Sequence, residues 1–438
     1  MYILDQHDIA SLLSHLITLD TQNPPGNETL AASYVQSVLR QHGVCAEVYE
    51  SAPGRGSVVA RIKGDGSSRP LLLLSHLDVV DAPAEGWTEP PLSGNIRDGI
   101  VWGRGALDCK NLTAIHTAIM VHLAKNNLNL KRDVIMAATA DEESGGKMGI
   151  GWLARHHPEQ IAAEYCLNEG GGFGVTIGNH IFYTCNTAEK GTVRLRLVAS
   201  GRSGHAAMAP RSSAVALLAK AVSRLCETRL PLHPTETSRE FLTAIARGFA
   251  MPAQAVRGML SNEALLERTL AMILKDEYQI DSIHAMLRNT AAPTIIRAGY
   301  RINVVPGEAV AELDGRVLPG LEPEVLIQEV ENLVKDLVRV ERISVSHGSE
   351  SPQHTHLYRL IQEVTTKRVP NARLVPFLLT GSSDARHTRA MGTVTYGFCP
   401  VLPGEPINTC HGVDERVSIK SLDFGFKMLR EIVERLCT

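Results

Sequence analysis

The chain has 438 residues, 44% of them hydrophobic and 21% charged, with a formal net charge of −3. That length exceeds what one hydrophobic core usually serves, so two domains are expected, and the composition excludes a disordered or fibrous protein. No long block of one charge sign is present, which argues against nucleic acid or an anionic membrane as partner and leaves a small solute.

The N-terminal stretch MYILDQHDIASLLSHL carries acids and histidines where a signal peptide needs a basic start and an unbroken apolar run. No segment reaches the roughly 20 apolar residues of a membrane helix. Eight cysteines are scattered without a CxxC pair. That pattern argues against a disulfide framework or a cysteine-built zinc site and suits a reducing compartment, so a cytoplasmic location is expected.

Helical spacing predicts helices over 7–19 and 29–42, the second closing at Gly43 as a C-cap. VVARIKG (58–64), LLLLSHLDVV (71–80) and VIMAATADEE (134–143) read as strands, with a helix over 111–125 between the last two. This alternation predicts a layered α/β sheet whose ligands gather at the C-terminal ends of the strands. From about Lys190 the texture changes. KGTVRLRLVAS (190–200) alternates like a half-exposed strand and SSAVALLAKAVSRL (212–225) reads as an amphipathic helix. VAELDGRVL (310–318), PEVLIQEVENLVKDL (323–337) and VERISVS (340–346) continue as strand, helix and strand. Residues 188–348 are therefore expected to form a smaller α+β two-layer sandwich inserted in a larger domain made of 1–187 and 349–438. Within the insert, 235–290 is a methionine- and alanine-rich helical stretch with no readable chemistry. The chain closes on the helical pattern FGFKMLREIVERL (424–436).

Unusual polar residues sit where the expected strands end. His76 and Asp78 are two apart, so in an extended segment they face the same way. An imidazole there can bind a metal while a carboxylate orients its other nitrogen, although HxD alone equally describes a solvated strand end. In GRGALDCK (103–110) the glycines permit tight turns, and Asp108 can bridge two cations or simply cap the following helix. Lys110 is placed to steady excess negative charge. Asp141, Glu142 and Glu143 end an apolar strand, where adjacent carboxylates repel unless neutralised. In an extended segment Glu142 and Glu143 would face opposite sides, freeing one for metal and the other for proton transfer. An acidic surface corner is the plainer alternative. Glu169 in LNEGGG and His411 in INTCHGVDERV complete a mixture of two histidines and three carboxylates suited to a pair of zinc ions sharing one carboxylate.

The run SHLDVVDAPAEGWTEPPLSGNIRDGIVWGRGALDCK, followed in order by DEESGG, NEGGG, SGHAAM, NVVPGEA, DGRVLPG and GSSDAR, resembles the dizinc exopeptidase family. That family includes aminoacylase, glutamate carboxypeptidase, carboxypeptidase S, acetylornithine deacetylase and succinyl-diaminopimelate desuccinylase. The texture is most similar to the aminoacylase and carboxypeptidase S branch. The resemblance implies a zinc-exopeptidase-type α/β/α catalytic domain carrying an inserted lid and dimerisation domain. It implies two Zn2+ ions, with Co2+ or Mn2+ as possible substitutes: His76, Asp108 and Glu169 would hold one, and Asp108, Glu143 and His411 the other. By the same resemblance Asp78 stands behind His76, Glu142 is the general base, and the Asp108–Cys109 peptide bond is cis. His205 would stabilise the oxyanion, and Arg316, Asn303 and Gly381 would bind the substrate's carboxylate. The chain departs from the family at Asn111, where glycine is commoner, and in GHAAM, where GHSS or GHGS is commoner; neither change removes a group the chemistry needs.

The expected function is hydrolysis of an amide bond next to a free carboxylate, in a small peptide or N-acyl amino acid, by a metal-activated water in a homodimeric enzyme. A non-catalytic metal or amino-acid binding protein on the same scaffold and a two-metal phosphoesterase are the alternatives. Ser203 lacks the GxSxG elbow of a serine hydrolase.

Overall fold

Alternate leucines of the run 71–74 serve two different cores. Leu71 and Leu73 join the apolar cluster on one face of a central strand, Leu71–His76, and Leu72 and Leu74 join a second cluster on the other face. This double burial is why the strand reads as unbroken leucine rather than as an alternating pattern. The first cluster is closed by residues such as Ile9, Leu13, Ile115, Ile119, Leu360, Phe426 and Leu429. They come from helices Gln6–Thr18, Lys110–Asn126, His356–Arg368 and Ile419–Cys437. The second is closed by Ile150, Leu153 and Ile161. The result is the α/β/α layering expected from the sequence.

These features belong to a computed structural model that describes residues 6–177, 179–208, 210–274 and 276–438. The chain divides into two compact units. The larger comprises Met1–Thr187, Ser351–Phe377 and Ser383–Thr438, and the smaller Ala188–Glu350 with Leu378–Ser382. From its first edge the sheet of the larger unit runs in the order Ala46–Glu50, Gly56–Ile62, Val134–Thr139, Leu71–His76, Tyr165–Asn168, Val394–Gly397 and then His180–Glu189, on which further strands pair. Its middle is parallel and its first edge antiparallel. Gly43 takes φ 81° after helix Glu28–Gln41, and its N–H and that of Val44 return to Arg40 and Leu39 carbonyls, closing the helix as expected.

In the smaller unit an antiparallel sheet runs in the order Thr290–Ala298, Glu308–Val317, Gly191–Ser200, Arg339–Val345. Val193, Leu195, Leu197 and Ala199 alternate onto one face, where Leu218, Leu225, Leu326 and Val330 of two helices cover them. Strand Thr290–Ala298 escapes sequence reading because its largely exposed residues give no period-two signal. The methionine- and alanine-rich stretch forms helices Glu236–Gly248, Ala253–Ser261, Glu263–Ile273 and Glu277–Leu287. Among the described residues, no helix is long and apolar enough to cross a membrane.

Two expected strands are shorter than their sequence patterns. The strand at 71–80 stops at His76, and the one at 134–143 stops at Thr139. Glu142–Ser144 is a tight 3-10 turn entered through Asp141 at φ 71°. Glu142 and Glu143 therefore do not owe their different surroundings to an extended backbone.

Candidate metal centre

Three adjacent strand ends deliver the site. Val134–Thr139, Leu71–His76 and Tyr165–Asn168 lie side by side, with His76 in register with Thr139. The acidic turn, His76 and Glu169 thus emerge at one edge, as expected of C-terminal strand ends in a parallel region. Asp108 comes from the loop before helix Lys110–Asn126, and the Asp108–Cys109 peptide bond is cis. His411 projects from a loop between Pro400 and the short strand Arg416–Ser418, with φ 61°.

Asp108 stands at the centre. Its Oδ1 lies 3.0 Å from His76 Nε2, and its Oδ2 lies 3.2 Å from His411 Nε2. His411 Nε2 is also 3.3 Å from Glu143 Oε1, and His76 Nε2 is 3.9 Å from Glu169 Oε2. Two sets of donors, His76–Asp108–Glu169 and Asp108–Glu143–His411, each have ligand atoms within 4.8 Å of one another and share Asp108. Cys109 also falls within the first set, and His76, Glu142 and Glu143 form a third.

The donor set fits a cation. Nδ1 of His76 is 2.9 Å from the Asp78 carbonyl oxygen, which fixes an N–H there and turns Nε2 toward Asp108. Glu143 Oε1 is buried with no hydrogen-bond partner, and the imidazole of His411, 3.3 Å away, faces it; a cation in the same place would offset the cost of burying the carboxylate. Burial, then the charge of Glu169, pushes the Glu142 carboxyl well above the usual range. Glu169 is raised likewise by burial and by Asp108. For Asp108, burial acts upward, but His411 and His76 outweigh it and hold the carboxyl low. Contacts with Asp108 and Glu143 push the His411 imidazole up to about 10. Carboxylates crowded this closely repel one another, and a cation held among them would relieve that repulsion.

Asp78 stands behind His76 in a way the spacing did not indicate. Its nearest approach to the ring is through its backbone oxygen, and its carboxylate lies 3.7 Å from Nδ1. That carboxylate instead accepts the N–H groups of Glu142 and Glu143 and, at 2.8 Å, the side-chain amide of Asn23. Asp141 is neutralised locally: its Oδ1 meets Arg55 at 2.9 Å and its Oδ2 accepts the Met148 N–H. Lys110 does not face the carboxylates as expected. Its ammonium donates to the Leu16 and Leu19 carbonyls, both at 2.9 Å, and burial lowers its pKa to about 8.

All seven of these predicted residues, His76, Asp78, Asp108, Glu142, Glu143, Glu169 and His411, belong to the larger unit. His205, Asn303, Arg316 and Gly381 belong to the smaller. His205 pairs with Val304 across a two-stranded ribbon, which places Asn303 beside it, and both residues are exposed. The Arg316 fork is held by Asp314, with Nε–Oδ1 at 2.8 Å and Nη2–Oδ2 at 3.1 Å. A side chain at Gly381 would meet only Leu379 Cγ, at 4.0 Å.

Sequence reasoning missed Asp384 and Glu415. Asp384 lies in GSSDAR, three residues after Gly381. It is buried, accepts from Thr139 Oγ1 at 2.8 Å, and is pushed up to about 7 by burial. Glu415 lies four residues after His411 and is wholly buried.

The chain is similar to several known proteins. N-fatty-acyl-amino acid synthase/hydrolase PM20D1 of Bos taurus is 32% identical over 404 residues, covering 87% of this chain and 77% of that protein. Probable carboxypeptidase S-like 2 of Dictyostelium discoideum is 29% identical over 395 residues, covering 85% of this chain and 74% of its own. In fold, the M20 family metallo-carboxypeptidase Sso-CP2 from Sulfolobus solfataricus superposes with a TM-score of 0.72 at 17% identity, over 98% of both chains. Residues 72–435 match peptidase family M20/M25/M40, and the chain belongs to that family as a metal-dependent amide hydrolase.

Proposed function

We propose that the protein binds two zinc ions and hydrolyses the amide bond of an N-acyl amino acid or small peptide next to a free carboxylate. The observation that carries this reading is Asp108, whose two carboxylate oxygens each face a different histidine. The names of the bovine and Dictyostelium relatives, an N-fatty-acyl-amino acid hydrolase and a carboxypeptidase S-like protein, support the substrate class.

His76, Asp108 and Glu169 would hold one ion, and Asp108, Glu143 and His411 the other. Bound there, the pair supplies Lewis-acid polarisation of the scissile carbonyl and a lowered pKa for the attacking water. Glu142, whose carboxyl is raised by burial, takes the proton of that water and returns it to the leaving amine. Asp78 keeps the Glu142 and Glu143 backbone in place through its two hydrogen bonds. On the smaller unit, His205 donates to the developing oxyanion. Arg316, Asn303 and the Gly381 amide bind the carboxylate, for which a guanidinium fork is apt.

The protein would act as a cytoplasmic homodimer joined through the smaller unit. Edge strand Thr290–Ala298 carries Ile296 at 60% exposure, and beside it Val215, Leu218, Val222 and Ile296 line an apolar groove. Light scattering on the wild type and on Ile296→Lys tests the dimer; a wild-type monomer would end that part of the reading. The reaction is tested by stripping the protein with chelator, reconstituting it with Zn2+, Co2+ or Mn2+, and assaying dipeptides and N-acyl amino acids. About two metal equivalents and metal-dependent release of the free amino acid are expected. Full activity without metal would refute the mechanism.

A further inference from the structure

Glu415 binds three main-chain N–H groups of the loop that presents Asp108. Its Oε1 accepts the main-chain N–H groups of Gly105 at 3.1 Å, Leu107 at 2.8 Å and Asp108 at 3.1 Å. Its Oε2 accepts from Arg104 Nη1 at 2.7 Å, and Arg104 is itself only 3% exposed. The main chain adds to this: Gly103 N–H donates to the Glu415 carbonyl at 2.9 Å, and the next residue, Arg416, is in register with Trp102. Gly103 and Gly105 reach φ 141° and 90°, which lets the loop turn so that the amides of Gly105, Leu107 and Asp108 converge on one oxygen.

The physical consequence is specific. Three N–H groups, that of Gly105 buried and those of Leu107 and Asp108 half-buried, and the buried Nη1 of Arg104 all find their acceptor in one carboxylate, through charge-assisted bonds. Burial raises the Glu415 pKa, while the Leu107 amide and Arg104 oppose that rise. The same residue is tied by four residues of chain to His411, whose Nε2 faces Asp108 Oδ2. Glu415 therefore fixes, from one point, the loop carrying the shared carboxylate and the start of the segment leading back to a histidine facing it.

We infer that Glu415 is a positioning residue for the metal centre, setting the backbone from which Asp108 reaches both histidines. The inference rests on the reading of Asp108 as the shared metal ligand. A carboxylate that only stabilised the fold would change melting temperature without changing the metal's surroundings, whereas one that aims Asp108 must change both affinity and ligand geometry.

The test uses the full chain freed of metal by chelator, with Glu415→Gln, which keeps the side chain's length and one acceptor oxygen but loses the charge and turns the other oxygen into a donor, and Glu415→Asp, which keeps charge but withdraws it by one methylene. Zinc affinity is read by calorimetry and ligand geometry by the visible absorption of added Co2+. Variants folded by circular dichroism are expected to bind zinc about 10- to 100-fold more weakly, the usual effect of removing a ligand's support, with an altered cobalt spectrum at saturation. Wild-type affinity and spectrum in a folded variant would overturn the inference. So would failure of both variants to fold, since the residue would then be a determinant of the fold. Asp108→Asn separates the two readings. If it loses metal while the Glu415 variants bind normally, only the Glu415 inference fails; if it binds like wild type, the reading of Asp108 fails first.

Discussion

The carboxylate of Asp78 accepts the main-chain N–H groups of Glu142 at 3.0 Å and Glu143 at 3.1 Å. One side chain thus holds both acids of the turn while its own backbone oxygen orients His76. Asp78→Asn exchanges one acceptor oxygen for an NH2 group facing a donor, so one of these amides, or the Asn23 contact, must be lost. Both metal affinity and kcat should fall, each by about 10- to 100-fold. A variant with normal zinc affinity and turnover would show that the hydrogen bonds do not position the acids.

Glu142 and Glu143 should separate by readout. Glu143 Oε1 lies 3.3 Å from His411 Nε2 and has no hydrogen bond of its own, which suits a ligand. Glu142 is raised by burial and by the charge of Glu169, which suits a group that must take up a proton. Glu142→Gln is expected to retain bound zinc and lose about 10²- to 10⁴-fold in kcat. Glu143→Gln is expected to lose zinc at concentrations that saturate the wild type. Metal analysis after dialysis distinguishes them, and identical metal content in both would void the assignment.

Arg316 should discriminate substrates by their carboxylate. Asp314 grips its Nε and Nη2, so the fork is oriented before any substrate arrives, and that orientation depends on a planar guanidinium. Arg316→Lys should therefore behave like Arg316→Ala, raising KM for substrates with a free carboxylate and leaving amidated analogues little changed. Equal effects on both substrate classes would remove Arg316 from carboxylate recognition.

Much of the fold was legible because local pattern and burial agree. The leucines at 71–74 marked a doubly buried strand, and the helix predicted over 111–125 runs from Lys110 to Asn126. His76, Glu143 and Glu169 stood out because each lies where an apolar run gives way to an acid or a histidine, whereas Asp108 and His411 lie in loops and stood out by their motifs. What stayed hidden depends on contacts between distant segments. Glu415 meets the Asp108 amide across 307 positions, and Asp384 meets Thr139 across 245, with no periodicity to announce either. Asp78 was visible, but its carboxylate's partners were not, because the strand ends at His76 and the chain turns there. The edge strand Thr290–Ala298 was hidden for the opposite reason, its exposure removing the apolar alternation that marks its neighbours.

His116 gives the chain a pH dependence separable from the metal centre. The imidazole is fully buried in helix Lys110–Asn126, and neither ring nitrogen has a hydrogen-bond partner. Burial lowers its pKa to about 3. As pH falls from about 6.5, the usual histidine value, toward that figure, the unfolded chain takes up a proton that the folded chain refuses. Stability contributed by the neutral ring is therefore present above the unfolded pKa and lost through that window, by on the order of 5 kcal/mol across its full width. His116→Leu, similar in volume and without nitrogens to bury, should flatten this acid limb. Thermal unfolding of the metal-free protein at pH 7 and pH 4 checks it, since both proteins then share every other titrating group. The drop in melting temperature between the two pH values should be smaller in the variant; equal drops would mean that His116 gains its proton in the folded state as easily as in the unfolded one.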